Sequence, residues 1–323
     1  MLPPELNIKE NVNIKPYTTF GVGGTARYFA EVDRARDIIS LIKFAKKNNI
    51  SYVVIAGGSN VVFDDGVLDM LVIKLEPKRI FRDNGEFIEG MKDYIVIKDD
   101  ELVCDAGAKL LEMIRFAIES GFGGLESLSG IPGSVGGAVV GNAGAYGQTA
   151  SGTLKEVEIF DGEEIRVLPK SECRFAYRES IFKNKPWLVL TARFILKSGD
   201  AEVLQKTYHD IIETRNKKYS PEIKCAGSFF KNILIESMPR ASLKFLPQNR
   251  DYFGKVPAWH FLDAVGAKGM TEGGIKIADF HGNLLMNMGD ATFGDVTILA
   301  QKLKDLVKEK FGIELEEEVR YIR

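Results

Sequence analysis

Histidine, cysteine and tryptophan are scarce in this 323-residue chain, at three, three and two residues. His209, His260 and His281 are too few and too scattered for a histidine-rich metal centre or a histidine-centred triad. Cys104, Cys173 and Cys225 lie far apart and are odd in number, which argues against a disulfide framework or a zinc site and for a reducing, cytoplasmic setting. No run approaches the roughly 20 apolar residues of a membrane span. The opening MLPPELNIKENVNIKPY carries no apolar core of signal-peptide type. An excess of either charge is missing as well: the net charge is −2, so nothing favours nucleic acid or an anionic membrane. No internal repeat or low-complexity segment is present.

Glycine is what the chain has in quantity. Ten of its 32 glycines fall within residues 121–147, GFGGLESLSGIPGSVGGAVVGNAGAYG. Ordering glycine costs more backbone entropy than ordering any other residue, so such a cluster marks backbone where side chains would obstruct. Bare N–H groups in tight turns converge on phosphates. Glu126 and Tyr146 are the only ionisable side chains here, so a pyrophosphate would be held by backbone dipoles rather than by lysine. A flexible linker is the competing reading, but Leu125, Leu128, Ile131, Val135, Val139 and Val140 are apolar enough to pack.

Along the chain, residues 1–16 read as an irregular arm, and 27–32 as a strand after the glycine turn at Gly21, Gly23 and Gly24. Residues 33–49 read as a helix with Ile38, Ile39, Leu41, Ile42 and Ala45 on one face. SYVVIA at 51–56 reads as a buried strand ending in GGSN, and 70–75 as another strand. GGSN lacks the Lys-Ser/Thr of a P-loop, and no G-x-G-x-x-G opens a helix, so a Rossmann or P-loop site is not indicated. Short antiparallel strands are expected within 79–106, and a helix over 109–120 with Leu110, Leu111, Ile114 and Ala117 inward. Strands follow at 155–160, 164–168 and 187–196, then a helix over 200–218 and a hinge near 215–224. Residues 233–257 read as a polar insertion. A helix at 258–265, a strand at 284–287 and an amphipathic helix over 292–311 complete the chain.

Four segments, TTFGVGGTAR, IAGGSNVVFDDG, GIPGSVGGAVVGNAGAYG and AGSFFKN, closed by LEEEVRYI, together resemble the UDP-N-acetylenolpyruvoylglucosamine reductase family over about residues 14–322. The resemblance implies an α+β chain with a vanillyl-alcohol-oxidase-like (PCMH-type) FAD-binding domain of two subdomains, 1–75 and 76–218, and a C-terminal substrate domain, 219–323. It implies FAD and NADPH as cofactors and a small-molecule substrate, UDP-N-acetylglucosamine enolpyruvate. The product would be UDP-N-acetylmuramate, a peptidoglycan precursor, formed by a cytoplasmic monomer. Hydride would pass from NADPH to flavin N5 and then to the vinyl carbon, with a proton delivered to the neighbouring carbon. Another FAD oxidase or dehydrogenase on the same fold is the alternative. It would account for the glycine segments but not for AGSFFKN or the terminal glutamates. Only 50 positions separate Arg178 from Ser228, which resembles the family's second, short-loop type.

The resemblance also implies site residues. Arg178 in YRES would hold the enolpyruvyl carboxylate, Ser228 in GSFFKN would donate the proton, and Glu318 would be the catalytic glutamate preceding the valine. Strand alternation would put Glu316 on the same face as Glu318, with Glu317 turned away, so Glu316 is the residue most easily confused with it. Flavin contacts would come from Gly57, Gly58, Ser59 and Asn60, from Ile131, Pro132, Gly133, Ser134, Gly136 and Gly137, from Asn142, Ala143 and Gly144, and from Arg215. Tyr177, Lys231 and Asn232 would bind substrate. His281 falls where the second type carries a histidine, and a surface histidine is an equally good reading. The cysteines read as structural. The chain departs from the family pattern at Ile233, where a proline is usual, and in the length of 233–257.

Overall fold

The computed structural model describes residues 2–77, 95–218, 220, 222–246 and 254–323. Strands expected at 79–82 and 86–90 lie outside these residues. The chain forms two compact units that are not contiguous in sequence. The first comprises Met1–Asn11, Arg27–Gly57 and Asp69–Ser220, and the second Val12–Ala26, Gly58–Leu68 and Pro221–Arg323.

The first unit is built on two larger sheets. One orders its strands Lys9–Asn13, Thr25–Val32, Val67–Leu75 and Ser51–Ile55, the last two parallel. The helix Ile38–Lys47 follows from the expected periodicity, burying Ile38, Leu41, Ile42 and Ala45. The second sheet is antiparallel throughout, in the order Ile165–Pro169, Leu154–Phe160, Leu188–Ile195, Glu101–Asp105 and Ile95–Lys98. The helix Leu110–Glu119 buries Leu110, Met113, Ile114, Ala117 and Ile118, with Leu111 only half-buried. Apolar side chains from both sheets and these helices form one core.

Two local expectations change, and one element is new. Residues 9–13 are a strand, not an irregular arm: KENVN lies at a sheet edge, where it needs no buried face and so shows no apolar alternation. Ser51–Ile55 is mostly half-buried rather than buried. Within the glycine-rich segment, Val135–Val140 forms a short helix, capped by Ser134 accepting the Gly137 N–H at 3.1 Å.

The second unit has its own core, drawn from residues 20–22, Val62 and the last hundred residues. Thr271–Glu272, Ile275–Ile277 and Leu285–Asn287 form a meander. Val61–Phe63 and Arg320–Ile322 pair in parallel, so the C-terminus is tied to the turn after Asn60. The helix Phe293–Phe311 starts with a Thr292/Asp295 capping box and ends at Gly312 with φ +69°. The stretch read as an insertion is partly core. Ile233–Leu234 pairs with Lys255–Val256, Met238 is buried, and buried Ser242 donates to the Phe311 carbonyl at 2.6 Å. No helix among the described residues is long and apolar enough to cross a membrane.

Candidate active site

In the first unit the two glycine turns meet. A Cβ on Gly57 would lie 3.3 Å from the Gly133 Cα, a tight contact, so a bare Gly57 lets the two backbones approach closely. The turn from 131 to 137 is held from behind: Val135 N–H donates to the Ala108 carbonyl at 2.9 Å and Gly136 N–H to the Ala106 carbonyl at 2.8 Å. A Cβ on Gly136 would lie 2.8 Å from the Ala106 Cβ. Among the described residues the amides of Gly57, Gly133 and Ser134 have no protein acceptor, which puts three N–H groups on one pair of apposed turns. This is a cradle for an anion built from backbone, without a lysine, and it fits a flavin pyrophosphate.

Behind the cradle, Gly130 is a packing site. Gly130, at φ +73°, leaves room for the Arg215 side chain, whose Cδ would lie 2.9 Å from a Cβ there. Asn142 is buried with both ends of its carboxamide engaged, Nδ2 donating to the Ala176 carbonyl at 2.8 Å and Oδ1 accepting from Ser151 N–H at 3.2 Å. Ala143 N–H donates to the Ala138 carbonyl. Asn142 and Ser180, whose hydroxyl donates to the Val140 carbonyl at 2.7 Å, dock the YRES segment onto the glycine-rich segment.

Arg178 sits at the tip of that segment. Ala176 and Glu179 exchange backbone hydrogen bonds around Tyr177 and Arg178, and Arg178 takes φ +57° to close the turn. An arginine in the left-handed region is strained, and such strain concentrates at functional sites. Its Nη2 donates to the Gly144 carbonyl at 2.9 Å and its guanidinium lies 5.4 Å from the centre of the half-buried Tyr177 ring. The Glu179 carboxylate pairs with Lys183 at 3.3 Å.

In the second unit, residues 228–231 run extended between two other segments. On one side Ser228 bridges Leu284, and Phe229 N–H donates to the Asn283 carbonyl at 3.0 Å. On the other, Phe230 bridges Glu317, Lys231 N–H donates to the Glu316 carbonyl and Glu318 N–H to the Phe229 carbonyl, both at 2.8 Å. Ser228 and Glu318 are thus held on adjoining segments, 90 positions apart in sequence. Asn60 joins them: its Nδ2 donates to the Glu318 carbonyl at 3.1 Å and its carbonyl accepts from Arg320 N–H at 3.0 Å. Gly58, at φ +62°, lies against Tyr17 and Thr18 in the same unit, and Ser59 follows it in the turn.

The three glutamates separate. Glu316 is 73% exposed and its carboxylate meets Lys231 Nζ at 3.1 Å. Glu317 turns to the helix Phe293–Phe311, where Lys304 Nζ lies 3.2 and 3.1 Å from its two oxygens. Glu318 is half-buried. Asn232 accepts from Ala258 N–H only weakly, at 3.4 Å. His281 is not a surface residue: it is 6% exposed, and its Nδ1 accepts from Asn283 N–H at 3.1 Å, which assigns the ring proton to Nε2. The cysteines are free, and burial raises all three thiols, Cys173 to about 11, leaving them protonated and inert.

Comparison with known proteins finds two family models along the chain. Residues 26–164 match the FAD binding domain, and residues 216–322 match the C-terminal domain of UDP-N-acetylenolpyruvoylglucosamine reductase. Over 320 residues the chain is 41% identical to the UDP-N-acetylenolpyruvoylglucosamine reductase of Solibacter usitatus, covering 99% of this chain and 98% of that one. The chain belongs to the UDP-N-acetylenolpyruvoylglucosamine reductase family. A second member, from Caldanaerobacter subterraneus, is 30% identical, with 97% and 92% of the two chains covered. The crystal structure of the family member from Thermus caldophilus superposes with a TM-score of 0.71 at 28% identity, over 98% of this chain and 100% of that one. The family's α+β fold with an FAD-binding region is therefore the fold of this chain. Asn283 is the residue that sequence reasoning passed over: in DFHGN the histidine drew attention, and nothing local marks the asparagine as buried.

Proposed function

We propose that this chain catalyses the FAD-dependent, NADPH-driven reduction of UDP-N-acetylglucosamine enolpyruvate to UDP-N-acetylmuramate, in peptidoglycan precursor synthesis. The reading is carried by the near-full-length identity to family members, and the bare cradle of Gly57, Gly133 and Ser134 supports its flavin half. Bound FAD would supply the hydride-transfer chemistry between NADPH and the vinyl carbon of the substrate. Gly57, Gly58, Ser59 and Asn60, with residues 131–134, Gly136 and Gly137, would hold its pyrophosphate, and Asn142, Ala143, Gly144 and Arg215 would shape the surrounding surface.

An enol ether resists hydride unless its carboxylate is polarised, so that charge accumulates as an enolate. Arg178 takes that role: its planar fork binds a carboxylate through two parallel bonds and does not deprotonate. Ser228 gives its hydroxyl proton to the carbon next to the one that receives hydride, and Glu318 serves as its acid–base partner. Tyr177, Lys231, Asn232 and His281 bind substrate. The Lys231–Glu316 ion pair would open for a substrate phosphate, at little cost because Glu316 is exposed. The flavin subdomains are proposed as 1–75 and 76–218 and the substrate domain as 219–323. The enzyme is proposed to act as a cytoplasmic monomer.

Purified protein reconstituted with FAD tests this. Anaerobic NADPH should bleach the yellow colour, and the enolpyruvyl sugar nucleotide should restore it. Recovery with oxygen but not with the sugar nucleotide would point to an oxidase. Failure to bind FAD would overturn the proposal.

A further inference from the structure

Phe230 is completely buried, and its position in the ladder creates a problem that Asn283 solves. Phe230 and Glu317 form a pair whose flanking bonds run through Phe229, Lys231, Glu316 and Glu318. In such a non-bonded antiparallel pair, the N–H and C=O of each residue point away from the partner segment. Those of Phe230 therefore point toward residues 283–284. The backbone ladder on that side has already ended, with Phe229 N–H on the Asn283 carbonyl. Two peptide groups would be left orphaned in an apolar core.

The Asn283 side chain meets both. Its Oδ1 accepts from Phe230 N–H at 2.8 Å and its Nδ2 donates to the Phe230 carbonyl at 2.9 Å. The carboxamide stands in for the next peptide of the ladder, and Asn283 is itself only 2% exposed. The His281 ring accepts from Asn283 N–H and fixes the backbone from which the carboxamide projects.

We propose that Asn283 is a positioning residue for the proton-transfer half of the reaction. It locks the register of residues 228–231, and with it the placement of Ser228 relative to Glu318, whose own N–H is bonded to Phe229. The inference rests on the function proposed above. An apolar residue of similar size leaves Phe230 without either partner, so the segment must shift to satisfy its peptide groups, and Ser228 shifts with it. A displacement of about 1 Å at a reacting group costs roughly 100-fold. The cradle amides of Gly57, Gly133 and Ser134 belong to the other unit, and none of them bonds to Asn283.

The test uses the FAD-loaded, full-length protein with Asn283→Leu and Asn283→Asp, following flavin reduction by NADPH and reoxidation by the sugar nucleotide separately, with thermal melting of each variant. The expected result is FAD affinity and reduction within about twofold of wild type, with reoxidation roughly 100-fold slower in Asn283→Leu. The Asp variant distinguishes positioning from bulk stability. Ionised, it accepts from Phe230 N–H but repels the Phe230 carbonyl; protonated, it makes both bonds. Its reoxidation rate should therefore recover as pH falls, shifting its pH profile to acid against wild type. Reoxidation within threefold of wild type in Asn283→Leu, equal loss in both half-reactions, or an Asp profile that coincides with wild type would each overturn the proposal. If wild type itself is not reoxidised by the sugar nucleotide, the proposed function fails first and this role falls with it.

Discussion

Replacing Gly136 by alanine tests whether the close approach behind the cradle is structural necessity or accident. Gly136 is the second residue of the helix Val135–Val140, where alanine would ordinarily gain about 1 kcal/mol over glycine. Its new methyl would stand 2.8 Å from the Ala106 Cβ and 3.0 Å from the Ala106 carbonyl oxygen. Carbon atoms prefer about 3.5–4.0 Å, so the two segments must part by roughly 0.7–1.2 Å. They are joined by the Gly136 and Val135 N–H bonds to Ala106 and Ala108, which would stretch together. Overpacking of this kind costs about 1–3 kcal/mol, and each weakened bond up to about 1 kcal/mol. After the helix gain is deducted, a net loss of about 2 kcal/mol remains, a fall in Tm of roughly 4–8 °C. Because the displaced residues include Gly133 and Ser134, FAD affinity should fall about tenfold or more; flavin fluorescence quenching measures it, and urea or thermal melting of the flavin-free protein measures stability. Gly137→Ala is the control: its methyl would meet only Ser134 Oγ, at an ordinary 3.5 Å, so the substitution should be neutral or stabilising. If Gly136→Ala is as stable as Gly137→Ala and binds FAD as wild type does, the account of the cradle is wrong.

Ser228→Ala should leave flavin reduction by NADPH intact and slow reoxidation by the sugar nucleotide about 10²–10⁴-fold; equal loss in both would remove Ser228 as a specific proton donor. Single Glu→Gln changes at 316, 317 and 318 should separate the three carboxylates in steady-state assays. The first two remove ion pairs worth about 0–1 kcal/mol and leave turnover nearly unchanged, whereas Glu318→Gln should lower it by at least about 100-fold. Asp105 predicts a pH slope in stability. Burial raises its carboxyl above the ordinary value, against the Gly107 and Ala35 amides that lower it. The folded chain therefore holds the proton more tightly than the unfolded chain. That stabilisation is fully present below the ordinary aspartate value, about 3.9, and is lost as pH rises through the raised one. Urea melts across this window should show the stability of wild type, relative to Asp105→Asn, falling as pH rises; a flat difference would refute it.

The segments with strong local signals could be read without a structure. The helices Ile38–Lys47, Leu110–Glu119 and Phe293–Phe311 each bury most of the face their periodicity selects, with Ile39 and Leu111 only half-buried, because a helix repeats its environment every three to four residues. The glycine clusters at 57–58 and 121–147 could likewise be recognised as places of close backbone approach, since few other uses justify their entropic cost. Strand Lys9–Asn13 was hidden because an edge strand with no buried face has no pattern to display. The interior of 233–257 was hidden because Met238 and Ser242 are single buried positions within a polar run.

Residue order alone, then, reaches the family and the reaction class it points to, and it proposes the side chains suited to that chemistry, because these readings depend on motifs whose spacing is local. It does not settle which polar residues turn inward. Gly57 meets Gly133 across 76 positions, Glu318 joins Phe229 across 89, and Asn283 completes the peptide groups of Phe230 across 53. Each pairing exists because a buried backbone group needs a partner or two backbones need room. The need arises only when distant segments have already packed, so it leaves no trace in the local sequence.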